Sequence, residues 1–304
     1  MHVVLKGVFP ILVTPFDDQG EVDLRSFERV VRFMAEIGVD GVTILGVLGE
    51  ANRMVDAERE VLIRSAIAAV DGAVPVVVGT SHSGTEATLG LSRMAENLGA
   101  SGVMVTPSRE PVPHADRVFE TIQTVAEGIS IPVVLQDHPV STQVHMPTPL
   151  ILRMIAEISG IACIKEEATP TPPKITALLD GMEREVTILT GLGALYGRFD
   201  LERGSHGFMT GFAFPEVLIA MVKAAREERW DDLAEVYQRY LPLIVYEQQP
   251  GVAVRKEIFR LRGLIDSGRV RHPGGSMDAK TGEMVPKVLQ SVLGDVDLTK
   301  PLVV

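Results

Sequence analysis

Eight short β-branched runs recur along this chain before Pro215, and most are followed by a longer stretch of helical period. The runs are Val8 to Val13, Gly41 to Leu45, Pro75 to Gly79, Gly102 to Thr106, Pro132 to Gln136, Ile161 to Glu166, Thr187 to Thr190 and Gly207 to Thr210. Helical periodicity follows over Leu24 to Ile37 (with Asp23 as cap), Asp56 to Val70, Thr85 to Leu98 and about Ala115 to Ala126. Two more helices open at Thr148-Pro149, read as a capping residue and a proline at the first helical position, and near Pro215. Strands that are apolar almost throughout belong in a sheet covered on both faces. Strands alternating with helices imply parallel pairing through right-handed crossovers. A closed barrel and an open doubly wound sheet both satisfy this pattern. The count of eight favours an α/β chain folded as a (β/α)8 TIM barrel. The alternation stops after residue 228. Helical patterns at 231–247, 251–264 and 285–293, with a Gly/Pro loop at His272 to Gly275, read as a C-terminal helical appendage. The expected division is therefore a barrel over 1–228 and a helical extension over 229–304 that packs on the barrel or on a sister subunit.

Charge and cysteine content narrow the function classes. The net charge is −11. That argues against nucleic acid or an anionic membrane as partner, and any anionic substrate needs local donors to hold it. The single cysteine, Cys163, lies in an apolar run and reads as a small core residue. No disulfide can form within the chain, which suits a reducing cytoplasm. No stretch has the length of a membrane span, and Met1 to Lys6 lacks the pattern of a signal peptide, so the expected location is cytoplasmic. The histidines form no HExxH or Cys/His pattern, so no metal is expected. Gly191-Leu192-Gly193-Ala194-Leu195-Tyr196-Gly197 looks like a dinucleotide fingerprint, but its last spacing is one residue too long.

In such a barrel, chemistry sits at the C-terminal ends of the strands. That rule selects Gly46, Val47, Leu48 and Gly49 after the second strand, and Ser81 and His82 after the third. It also selects Gln136 on the fifth, Lys165 and Glu167 on the sixth, and Thr210 on the eighth. Lys165 is the sharpest of these. Burying an unpaired ammonium is costly, and desolvation favours the neutral amine that attacks a carbonyl. A plainer alternative is a strand-end lysine that reaches solvent or pairs with Glu50 or Glu166. Strand alternation puts Lys165 and Glu167 on one face, with Cα atoms roughly 7 Å apart, and turns Glu166 to the other. The two are then a reactive couple or a plain ion pair. Gly46 to Gly49 forms either a nest of N–H groups for a carboxylate or an ordinary turn.

Taken together, these residues resemble the dihydrodipicolinate synthase/N-acetylneuraminate lyase superfamily. The resemblance is carried by Gly7-Val8-Phe9-Pro10, Val13-Thr14-Pro15-Phe16, the GxxGE at Gly46–Glu50, Val105-Thr106-Pro107, Ile164-Lys165-Glu166, Gly204 to Gly207 and the helical C-terminus. It implies an imine between Lys165 and a 2-oxo acid, whose carboxylate would sit on the Gly46–Gly49 loop. It implies no cofactor beyond that covalent imine, and a homo-oligomer, tetramer or dimer. The chain departs from the family where two hydroxyl residues are usual (Val47 and Leu48) and where a proton-relaying tyrosine is usual (Gln136). No arginine follows in Val140-Ser141-Thr142, and the aromatic usual after Thr106-Pro107 is missing. Gln136-Asp137-His138-Pro139, Lys165-x-Glu167, Met209-Thr210-Gly211 and Tyr237 to Ile244 are similar to the L-2-keto-3-deoxyarabonate dehydratase branch, where a glutamate two residues after the lysine replaces the tyrosine. The resulting expectation is a dehydratase of a 2-keto-3-deoxy sugar acid with Lys165, Glu167 and Gln136 as catalytic residues. Substrate would be bound by Gly46, Val47, Leu48, Gly49, Ser81, His82 and Thr210. Apolar Val47 and Leu48 are expected to raise the pKa of Glu167. The alternatives are a pyruvate-releasing aldolase and a protein that only binds 2-oxo acids.

Overall fold

A computed structural model of the chain describes residues 4–111, 114–249 and 251–304. Met1 to Val3, part of the stretch read for a signal peptide, lie outside the described residues. Eight parallel strands run β1 Gly7–Val8, β2 Val42–Ile44, β3 Val76–Gly79, β4 Gly102–Val105, β5 Val133–Asp137, β6 Ile161–Glu166, β7 Thr187–Thr190 and β8 Gly207–Phe208. Neighbours in the sheet follow the chain from β2 to β8, and β8 pairs with β1. The remaining seam is closed by a parallel bridge between Ile11 and Thr43, with Leu12 N–H donating to the Thr43 carbonyl at 2.8 Å. The chain is thus a (β/α)8 barrel, as its periodicity predicts.

Helices α1 Leu24–Glu36, α2 Asp56–Val70, α3 Thr85–Asn97, α4 Ala115–Glu127, α5 Pro139–Thr142, α6 Thr148–Glu157, α7 Thr171–Gly181, α8 Gly197–Glu202 and α9 Pro215–Arg226 occupy the crossovers. Asp23 caps α1 as expected, accepting from Ser26 N–H at 3.1 Å. Thr148 does not cap α6: Pro147 holds the cap position, which moves Thr148 and Pro149 inside the first turn. The end strands are shorter than the apolar runs suggest, because only Gly7–Val8 and Gly207–Phe208 keep ladder register. Three crossover helices, α5, α7 and α8, stand where the sequence pattern predicts none. Helices α5 and α8 are too short to show a period, and α7 opens with consecutive prolines that mask its own.

Two apolar layers result. Phe9, Ile11, Val77, Met104, Val134 and Cys163 are among the residues that fill the barrel interior, while a larger layer packs strands against helices. Cys163 is fully buried there, and burial pushes its thiol pKa up, as suits an inert core residue. Truncating an interior side chain such as Val134 to Ala leaves a cavity and costs about 1–3 kcal/mol.

Beyond residue 229 the chain adds α10 Trp230–Tyr246, α11 Val252–Leu261 and α12 Ala279–Leu293. The last starts before the expected 285, because Asp278 caps it and Pro286 is tolerated inside. Helix α10 packs along α9 and α8, and α12 covers α10 and α11. Buried and half-buried charges fasten this extension to the barrel. Arg262 pairs with Glu216 at 2.5 Å, Arg271 pairs with Glu58 at 2.6 Å, and Lys256 pairs with Glu50.

Candidate active site

Parallel register between β5 and β6 sets Gln136 beside Lys165 and Asp137 beside Glu166. Alternation then sorts the side chains. Lys165 Nζ lies 3.0 Å from Glu167 Oε2, and both side chains are almost wholly buried. The Gln136 amide donates to the same Oε2 at 2.6 Å, and Leu192 N–H donates to Glu167 Oε1 at 3.0 Å. On the opposite face Glu166 and Asp137 meet Lys174 of α7. Lys165 therefore pairs with neither Glu50 nor Glu166.

The glycine run after β7 explains how Glu167 is held. A Cβ on Gly191 would overlap the Glu167 carboxylate, so glycine is required for the approach. Gly193 takes a positive φ of 63°, and its N–H donates to Thr210 Oγ1 at 2.7 Å. The run that resembles a nucleotide motif instead shapes the carboxylate's seat.

Burial pulls the Glu167 pKa upward. The Lys165 ammonium, the His138 ring and the hydrogen bonds from Leu192 and Gln136 outweigh it and hold the carboxyl below its usual range. The expected upward shift is thus corrected: Val47 is 55% exposed and supplies no dry wall, while a cation sits in direct contact. Glu167 is a carboxylate, in the form of a base.

Lys165 opens into a cavity of about 230 Å³. Val47, Leu48, Gln136, Glu167 and Thr210 line it with the lysine. Gly46 and Gly49 frame the wall from behind. A Cβ on Gly49 would press on Leu45 N and the Leu12 carbonyl, at 3.1 and 3.2 Å. In this loop Gly49 N–H and Glu50 N–H are spent on the Gly46 and Val47 carbonyls, both at 3.0 Å. Among the described residues, the N–H groups of Val47 and Leu48 have no protein acceptor, which suits a seat for an anion. Leu45 and Glu50, at its two ends, take positive φ values of 57° and 56°, a strained setting for residues with side chains. Ser81 and His82 are not brought to the lysine. Ser81 Oγ accepts from Thr106 N–H at 3.0 Å, and His82 lines a separate cleft with Thr106 and Arg109.

The cavity wall also contains residues outside the expected site. His138 follows β5, and burial holds its imidazole pKa below the ordinary value. Glu247, Gln248 and Arg255 come from the C-terminal extension. Their helices carry an ordinary amphipathic pattern, which reads as packing and solvated charge. Among the described residues no group of three or more His, Cys, Asp or Glu side chains is placed to hold a metal ion. No described helix is long and apolar enough to cross a membrane.

Comparison with known proteins covers nearly the whole chain. Residues 4–292 match the model of the dihydrodipicolinate synthetase family. The chain is 37% identical over 284 residues to the L-2-keto-3-deoxyarabonate dehydratase of Azospirillum brasilense, covering 88% of each. A crystal structure described as dihydrodipicolinate synthase from Rhodopseudomonas palustris superposes with a TM-score of 0.89 at 36% identity, covering 94% of this chain and 97% of that one. An E. coli K12 prophage protein of the dihydrodipicolinic acid synthase family, solved with pyruvate, superposes with a TM-score of 0.88 at 26% identity, covering 95% and 99%.

Proposed function

Because the chain belongs to the dihydrodipicolinate synthetase family, whose members are lyases, we propose that it is a hydro-lyase acting on a 2-keto-3-deoxy sugar acid through an imine on Lys165. Lys165 Nζ attacks C2, and loss of water gives the iminium. Glu167 takes a proton from C3, and the electron pair is stored as an enamine. The enamine expels the C4 hydroxyl, which leaves as water with the proton that Glu167 now carries. When C5 bears a hydroxyl, loss of a C5 proton and protonation at C3 turn the unsaturated iminium into a C4=C5 enol, which ketonises to the aldehyde; hydrolysis of the iminium then releases a 2-oxo semialdehyde and frees the lysine. One carboxyl group serves as base and then as acid. The substrate carboxylate rests on the Val47 and Leu48 N–H groups.

The observation that carries this reading is the pairing at Lys165. Glu167 lies 3.0 Å from the amine, and the neighbouring strand-five side chain is an amide already donating to Glu167. Aldol cleavage needs a group to take the C4 hydroxyl proton, and an amide exchanges no proton at useful pKa. The similarity to a named dehydratase points the same way. The test is incubation with keto-deoxy pentonates and hexonates, with mass spectrometry for loss of water and lactate dehydrogenase for pyruvate. A product lighter by one water, without stoichiometric pyruvate, is expected. Pyruvate matching substrate loss would replace the dehydratase by an aldolase, and imine formation without turnover would leave a binding protein.

A further inference from the structure

Arg255 is the one Lys or Arg besides Lys165 that lines the cavity among the described residues. It lies in the first turn of α11 and is only 3% exposed. Its Nε donates to Glu247 Oε2 at 2.8 Å. Glu247 is itself buried and fixed by Ala213 N–H at 3.1 and 3.2 Å. The guanidinium is thus anchored on one side, while its Nη1 is buried without any hydrogen-bond partner. A buried cationic donor left unpaired is costly, so its retention calls for an acceptor that arrives later.

The backbone is shaped to admit this group. A Cβ on Gly211 would stand 3.0 Å from Arg255 Nη1 and would overlap the Leu48 side chain. Glycine at 211 therefore lets the guanidinium into the wall. Two parts of the chain build the cavity wall. Lys165, Gln136 and Glu167 belong to the barrel strands, whereas Glu247, Gln248, Gly251 and Arg255 belong to the extension. A sugar acid bound through C2 to the lysine, with its carboxylate on the Val47 and Leu48 N–H groups, leaves its hydroxylated carbons to be met by the rest of this wall.

We infer that Arg255 is a substrate-binding residue that reads the hydroxylated end of the 2-oxo acid, its free Nη1 donating to a hydroxyl oxygen beyond C3. Glu247 acts as a positioning residue that aims the guanidinium. The C-terminal extension thereby sets chain-length specificity for a barrel that supplies the chemistry. The inference rests on the imine reading above.

The experiment compares two probes on the full chain: pyruvate, which has no hydroxyl, and a 2-keto-3-deoxypentonate. Half-saturation of Lys165 trapping by borohydride is read by peptide mass spectrometry, which does not depend on turnover. Two variants are used. Arg255→Lys keeps a charge for Glu247, and the double variant Arg255→Gln/Glu247→Gln leaves neither charge orphaned. Half-saturation by the pentonate should rise roughly 10-fold or more in both. Half-saturation by pyruvate should stay within about 2-fold, which also certifies an intact site. Equal weakening of both probes would place the arginine on the shared carboxylate and overturn the inference. So would no change for the pentonate. Wild-type protein that traps neither probe would sink the imine reading, and this inference with it; wild type trapping both with unchanged variants sinks this inference alone.

Discussion

Among the described residues two lysine–glutamate pairs have both side chains buried, and they differ in what surrounds them. Lys165 and Glu167 meet at the end of β6, beside a cavity. Lys256 and Glu50 meet where α11 crosses the loop after β2, and neither side chain has any exposure. The Lys256 ammonium also donates to the Arg269 carbonyl at 2.7 Å and lies 4.4 Å from the centre of the Phe16 ring. Glu50 accepts from Arg53 at 2.7 Å and from Arg271 N–H at 2.9 Å. Every direction of approach to Lys256 is filled by protein. Lys165 has one side left for a ligand. Burial of a lysine beside a glutamate is therefore no mark of chemistry by itself; open space at the amine is what separates a reactive pair from a clamp.

The largest effect that would break this contrast is chemical. Borohydride with pyruvate should add a reduced adduct to Lys165 and leave Lys256 and Lys174 unmodified in peptide mass spectra. Lys165→Met should lose turnover by about 10⁴-fold or more, since among the described residues no other amine lines the cavity. An adduct on Lys256 would erase the distinction. Next in size is Glu167→Gln, which keeps the shape of the side chain but cannot take a proton. It should retain trapping and lose turnover by about 10²–10⁴-fold. Normal turnover would hand the proton to another group in the cavity wall, with His138 and water to be tried next. The clamp should respond in stability instead. Lys256→Met removes one of the two cations on the buried Glu50 carboxylate, leaving Arg53, and should cost up to about 3–5 kcal/mol in denaturant melts, while Glu50→Gln/Lys256→Met should recover much of it. If Lys256→Met abolished trapping in a folded protein, the two pairs would not be separate devices.

Sequence pattern carried the barrel because strands covered on both faces are continuous apolar runs, which need no partner to be seen. It also carried the Lys165–Glu167 proximity, since side-chain alternation is a local rule. It did not carry the Glu167 protonation bias. That depends on how far the Lys165 ammonium, the Leu192 N–H and the Gln136 amide stand from the carboxylate, and those distances are set between strands. Nor did it carry Arg255 and Glu247, which reach the cavity from helices distant in sequence and have no motif of their own. Gly191-x-Gly193 was visible as a motif, but its purpose was not: the same small residues admit a phosphate or a side chain, and only the fold says which.

The smallest expected effect lies in the pH dependence of stability, and it separates the two regions by sign. Beneath the site, burial first, and then the neighbouring Asp137 carboxylate, push the Glu166 pKa from 4.5 up to about 8, against the pull of Lys174 and the Ala168 N–H. Between those values the folded chain holds a proton that the unfolded chain has released. Stability from this group is full below about pH 4.5 and declines as pH climbs to about 8. In the clamp, burial lowers Lys256 from 10.5 to about 8, with Glu50 opposing. There the unfolded chain binds more protons between about 8 and 10.5, so this contribution rises with pH over that window. If about 2 kcal/mol of the Glu166 shift is realised, the wild-type melting midpoint should be about 3 °C lower at pH 8 than at pH 5. Glu166→Gln should flatten that decline and leave the slope above pH 8 alone, while Lys256→Met should do the reverse. Identical slopes below pH 8 in wild type and Glu166→Gln would mean that Glu166 is ionised in the folded chain, with Lys174 serving both carboxylates at once.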